Sequence, residues 1–272
     1  MSFLAAILLT ASCAGPCTEL KCETQLTELV GAVRAADYRG DRDALDRLDA
    51  ALAKIPPSAL DAYRAYWRGF ARWRRAMNGF NETPAPNDLE SDLQAAIGHF
   101  RAAMEKRSNW IEARLAMVGC LGNLMYLARD DAGKRQAILD QYTPVGKTLA
   151  ADGPDNPRVL WIIGGLQMAA PPPYGGDMAK AAATLRRGVA SSWKEANAGT
   201  RAPWIPAWGG PENLMNLAYL YTHTAASDKT AALAYAQGAL VAVPEWHYVR
   251  DILLPQIEAM PEAGKTTQAP AP

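Results

Sequence analysis

The sequence predicts an all-α protein built from paired helices, on three observations. Apolar residues recur at helical spacing along nearly the whole chain, and no stretch alternates apolar with polar residues for long. Ala is abundant while runs of β-branched residues are scarce. A pattern of small, large, small and Pro positions returns along the chain. Its copies are Ala44, Leu48, Ala51 and Pro56; Ala96, Phe100 and Ala103 with Ser108 in the Pro place; Ala181, Leu185 and Gly188; and a looser Ala232, Ala239 and Pro244. Small residues on one face let the preceding helix come close, the large residue is expected to fill the gap between pairs, and Pro stops the helix.

The elements follow in order. A first helix is expected at about 22–36, ended by Gly40, and Asp41 caps the next at 42–54, which Pro56 and Pro57 stop. A helix at 59–78 carries an aromatic face of Tyr63, Tyr66, Trp67, Phe70 and Trp73, which marks it as core-facing. After an inserted segment at 80–88 come helices at 89–106 and 110–129, the latter strongly apolar. Shorter helices are expected at 134–141 and 144–151, divided by Pro144. Pro154 and Pro157 precede one at 158–169, where Gly164 and Gly165 suit close helix packing. Gly175 and Gly176 make a turn and Asp177 caps a helix at 178–193; a second insertion at 194–210 leads to helices at 212–224, 230–243 and 246–260. The tail 261–272, rich in Pro, Ala, Gly and Thr, is expected to be disordered.

The repeated pattern resembles the tetratricopeptide repeat (TPR), whose second helix carries small, aromatic, small and Pro positions at these offsets; in the last unit Leu217, Ala218 and Tyr221 approach the first-helix signature. The likeness covers residues 25–260. Steps of 52 residues from Ala44 to Ala96 and 51 from Ala181 to Ala232 exceed the usual period of about 34, which implies lengthened helices and inserted loops. The stretch from Pro171 to Asp177, with Lys180, Ala181 and the later Leu253-Leu254-Pro255, is similar to exported bacterial TPR-like proteins. A fainter likeness, on class features, is to the lipoprotein component of tripartite (TRAP) uptake systems. The resemblance implies a helical-hairpin solenoid with a concave binding groove and no enzyme chemistry.

The amino terminus points to export. Residues 1–12 form an uncharged apolar run, too short to cross a bilayer core of about 30 Å but suited to a signal peptide. The ending Thr10-Ala11-Ser12-Cys13 resembles a bacterial lipobox, which implies lipidation of Cys13. Residues 13–24 then form an anchor or linker segment, in which Cys17 and Cys22 would be placed for a small-loop disulfide in an oxidising periplasm. Cys120, in an apolar segment, reads as a buried and inert thiol.

Charge narrows the partners. Twenty-eight Lys and Arg balance 28 Asp and Glu, so no global basic field exists to hold a nucleic-acid backbone, and membrane attachment is expected only through the lipid. His99, His223 and His247 are isolated, with no metal-ligand spacing, so neither metal nor cofactor is expected. His247 and Asp251 stand at helical spacing, either as a surface pair or as a dyad. No nucleophile elbow, dinucleotide fingerprint or phosphate loop occurs. No catalytic residue is therefore assigned.

Two surfaces stand out as candidates for binding. The 194–210 loop carries Trp204 and Trp208, which would either recognise a ligand or fold back to plug the space between helix pairs. Arg64, Arg68 and Arg72 line one side of the 59–78 helix, either as a groove for an acidic partner or as a face that offsets Asp43, Asp46 and Asp49. Tyr174, beside three prolines, joins the candidate groove. The expected function is a non-catalytic protein-interaction scaffold of the cell envelope, with a ligand- or peptide-binding accessory lipoprotein as the alternative. An open polar groove would favour the first and an enclosed aromatic pocket the second.

Overall fold

The computed structural model describes residues 18–261, and these are helical with short connections. Asp41, Asp131, Asp177 and Asp228 each accept a hydrogen bond from the backbone N–H three residues on, which starts α2 (Arg42–Ala53), α6 (Ala132–Gly146), α9 (Met178–Asn197) and α11 (Lys229–Ala242). Asn156 caps α8 (Pro157–Ala169), with Pro157 in its first turn. The other helices are α1 (Glu19–Tyr38), α3 (Asp61–Gly79), α4 (Leu89–Lys106), α5 (Ile111–Leu127), the single turn α7 (Leu149–Asp152), α10 (Gly210–His223) and α12 (Leu254–Glu258). A π-helical turn, Tyr248–Leu253, leads into α12.

Three details depart from expectation. Helix α1 begins at Glu19 and buries Cys22 completely, so the domain starts within the segment read as a linker. Helix α6 runs through Pro144, which lacks the N–H that would bond to the Asp140 carbonyl, so one bond of the last turns is missing. The first copy of the repeated pattern is shifted by one residue. In α2 the buried positions are Leu45, Asp49 and Leu52, while Ala44 and Leu48 are half-buried.

The packing order has two rows. Helices α1, α3, α5, α8 and α10 touch in succession, and α2, α4, α9 and α11 each lie against their neighbours in the chain. Within a pair the large residue of the pattern sits in a notch on the first helix. A methyl at Gly69 of α3 would lie 2.8 Å from the Phe100 ring of α4, and one at Gly164 of α8 would lie 2.6 Å from Leu185 of α9. The large residue therefore fills space inside the pair rather than between pairs. Ala96 and Ala181 are fully buried beside it.

The row of first helices bends until its ends meet. Tyr38 at the end of α1 donates to Glu212 of α10 at 2.7 Å, across 174 residues, and its ring packs edge-on against Trp246 with centroids 5.0 Å apart. The 198–209 loop crosses the inner side of α3. Trp67 Nε1 donates to the Trp204 carbonyl at 2.7 Å, and Trp208 Nε1 donates to the Tyr66 hydroxyl at 2.9 Å. No helix among the described residues is long and apolar enough to cross a membrane.

Candidate functional site

The bend encloses two kinds of interior, one filled by the loop and one left open. In the filled part, Trp208 is 2% exposed and meets Phe70, Trp73 and Trp161 with ring centroids 5.5–5.8 Å apart. Its carbonyl accepts from Arg158 Nη1 at 2.8 Å. The Arg158 guanidinium is gripped on two sides: Glu112 binds Nε and Nη2 at 2.7 and 3.0 Å, and Glu195 binds Nη1 and Nη2 at 2.9 Å each. Arg201 also pairs with Glu195. Burial alone would lower the Arg158 pKa, but the two carboxylates outweigh it and raise it, so the guanidinium stays charged and fixes the loop.

The open part is a cavity of about 350 Å³ on the inner face. Its walls come from α3, α5, α8 and α10, with Trp246 and Tyr248 closing one side. Met77, Met168 and Met215 give it an adaptable apolar lining, and Tyr126 and Tyr219 stand partly exposed at 59% and 37%. Phe80 packs edge-on against Tyr126, and Tyr219 packs on His223. Burial pushes the Tyr248 phenol up to about 12, so it remains a neutral donor.

Four asparagines, Asn78, Asn81, Asn123 and Asn216, bring carboxamides to the lining, and partners fix the orientation of two of them. Trp73 Nε1, which can only donate, binds Asn123 Oδ1 at 3.1 Å, leaving the Asn123 NH2 group for the cavity. Asn78 Nδ2 donates to the Asp37 carbonyl and carboxylate at 3.1 Å each, leaving its Oδ1 as an acceptor. Trp161 is 7% exposed, and its Nε1 is buried with no hydrogen-bond partner. A buried donor without an acceptor costs roughly 1–3 kcal/mol, so this one stands out. Among the described residues the only charged lining group is Arg74, whose Nε binds Asp37 at 2.8 Å behind the wall. Burial raises the Asp37 pKa more than Arg74 lowers it, with Glu212 adding to the rise.

The residues singled out from sequence lie elsewhere. Arg68 and Arg72 are committed to Asp49 of α2 at 2.7 and 2.6 Å, and Arg72 reaches Asp46 and Asp92 at 2.8 and 3.3 Å. Arg64 pairs with Asp61 at 2.9 Å and also donates to the Ile55 carbonyl. The stripe thus sits in the α2–α3–α4 seam, neutralised by its own chain, and not on the inner face. Asp49 and Asp92, both 3% exposed, set the stripe's direction. Tyr174 is 82% exposed at a turn ended by Gly175 with φ 93°, away from the cavity. Trp204 and Trp208 belong to the plug. His247 and Asp251 form an exposed pair at 2.8 Å, where Arg250 also binds the carboxylate at 2.8 Å and, with His247, holds its pKa below the usual range. Cys120 is buried, and burial pushes its thiol well up. Cys13 and Cys17, on which the lipidation and bridge expectations rest, lie outside the described residues, as do the apolar run and the tail after residue 261. No group of three metal-ligating side chains occurs among the described residues.

Trp161, Asn78, Asn123 and Tyr219 were not legible as a site. The available signal was a carboxamide within an otherwise apolar helix, as at Asn123 and Asn216. No protein-family model, curated protein or solved structure matches this chain.

Proposed function

We propose that the chain is a non-catalytic binding protein of the bacterial envelope, built as a TPR-like helical-hairpin solenoid, with its ligand seated in the inner cavity. The observation that carries this reading is the cavity itself. It is lined by the first helices of successive pairs, walled by aromatic and Met side chains, and carries the carboxamides of Asn78 and Asn123. The accessory ligand- or peptide-binding reading is favoured over the open scaffold, because the loop plug leaves an aromatic pocket in place of a long polar groove. The alternating contacts of the two helix rows support the TPR-like arrangement. Export, with a lipid anchor at Cys13, rests on the amino-terminal sequence. The partner is a protein, peptide or solute, and no cofactor is invoked.

In-cell photo-cross-linking tests the reading. A benzophenone amino acid at Tyr219, at the cavity, should give a discrete adduct. The same group at Val241, 85% exposed on α11, should give none. Equal adducts from both positions, or none from Tyr219, would end the assignment.

A further inference from the structure

Arg74, the one charged wall group of the cavity among the described residues, has an unused edge, and on the reading above that this cavity is the binding site, that edge selects the ligand class. The Arg74 side chain is 7% exposed and commits only Nε, which donates to Asp37 Oδ1 at 2.8 Å. Nη1 and Nη2 donate to nothing among the described residues, yet neither is a fully buried orphan, so both keep accessible surface where Arg74 lines the cavity. The Phe70 and Trp73 rings, each 6.0 Å from Cζ, flank the guanidinium. The open donors are thus the two ends of one rigid fork, and covalent geometry fixes their spacing. A carboxylate presents two oxygens that match it, whereas a single carbonyl uses one donor and leaves the other bare.

Charge balance adds a second condition. Asp37 already counters Arg74, and Glu212 acts on both from α10, so an incoming anion brings excess negative charge. Burial, reinforced by Glu212, raises the Asp37 pKa, against the lowering by Arg74 and Asn78. An anion on Arg74 raises it further, so Asp37 is placed to take up the balancing proton. The other titratable or charged groups at this seam are Arg34, Tyr38, whose phenol burial keeps neutral, and His247, which lies against Gly40 and is paired with Asp251. Beyond the fork, Met77, Met168, Met215, Tyr126 and Tyr219 suit an apolar or aromatic body. We infer that the cavity binds an apolar monocarboxylate, its two oxygens accepting from Arg74 Nη1 and Nη2 while Asp37 takes up a proton.

The test is calorimetric titration of the whole protein in two buffers of different ionisation enthalpy, which reads affinity and proton uptake together. The probes are 3-phenylpropanoate, a free acid; N-acetyl-alanyl-phenylalanine, a peptide carboxyl terminus; and 3-phenylpropanamide, the neutral counterpart of the first. A carboxylate should bind at least about tenfold more tightly than the amide, with net proton uptake and with affinity that rises as pH falls from 8 to 6. Whichever carboxylate binds more tightly identifies the source as a small acid or a chain end. Arg74→Gln should abolish the preference for carboxylate over amide. Asp37→Asn keeps an acceptor for Nε and removes the excess charge, so it should bind the carboxylate more tightly at pH 8 and without proton uptake, a gain that misfolding cannot produce. Met215→Trp, which fills the cavity, should abolish binding. An amide that binds as tightly as the acids, weaker carboxylate binding by Asp37→Asn, or carboxylate binding that survives Met215→Trp would overturn the inference. No binding of any probe also overturns it, and a cavity cross-link at Tyr219 would then show that the site reading survives.

Discussion

Replacing Arg158 should unfasten the centre of the molecule. Its side chain is 2% exposed and makes four contacts of 2.7–3.0 Å to two carboxylates, plus one to the Trp208 carbonyl. In Arg158→Met the apolar stem is kept, but Glu112 retains only the Asn156 amide at 2.8 Å, and Glu195 retains Arg201. One carboxylate is thereby left buried and uncompensated, which costs about 3–5 kcal/mol. In a domain of this size each kcal/mol lowers Tm by about 2–4 °C, so a fall of roughly 6–20 °C is expected in thermal denaturation followed by circular dichroism. Adding Glu112→Leu removes the orphaned charge and should restore more than half of the loss, since a buried ion pair and an apolar replacement are often equivalent. A Tm within about 2 °C of wild type for Arg158→Met, or no recovery in the double variant, would refute the reasoning.

Four further outcomes follow from particular contacts. Ala96→Leu and Ala181→Leu should each cost roughly 1–3 kcal/mol by overpacking, read from denaturant midpoints, while Ala44→Leu at a half-buried site should cost less. Burial, and then Arg68, lower the His99 pKa below 6.5, so the folded state binds that proton less readily than the unfolded chain; stability present above pH 6.5 should be lost as pH falls through the folded value, and His99→Gln should flatten that slope in melts between pH 7 and 5. Arg72→Gln should destabilise by about 2 kcal/mol in urea titrations, between exposed and buried pairs, because it leaves Asp49 and Asp92 less compensated. Metabolic labelling with a fatty-acid analogue should mark wild type and not Cys13→Ser; equal labelling would remove the anchor.

Local structure was largely legible because it is written in adjacent residues. Asp41 and Asp177 cap where the chain says they should, and Pro157 opens α8. The small positions Ala96 and Ala181 are buried as the repeat implies. What stayed hidden depends on partners far apart in sequence. Glu112 and Glu195 lie 46 and 37 residues from Arg158, and no spacing rule joins them. The Arg stripe was visible as a face, but its direction is decided by Asp49 and Asp92 on other helices. The cavity was least legible, since Asn123 and Trp161 look like ordinary members of apolar helices until the row bends around them.

The contact between Tyr38 and Glu212 also sets how the molecule can unfold and diversify. In a stack where each hairpin touches only its neighbours, pieces melt separately and units can be gained or lost at little cost. Here the first and last members of the inner row hold each other, through a hydrogen bond spanning 174 residues and the Tyr38–Trp246 ring contact. Fraying at one end therefore releases a partner at the other, and the chain should open as one cooperative unit. Deleting or duplicating a hairpin would move α1 out of reach of α10. The number of units is thus fixed by closure.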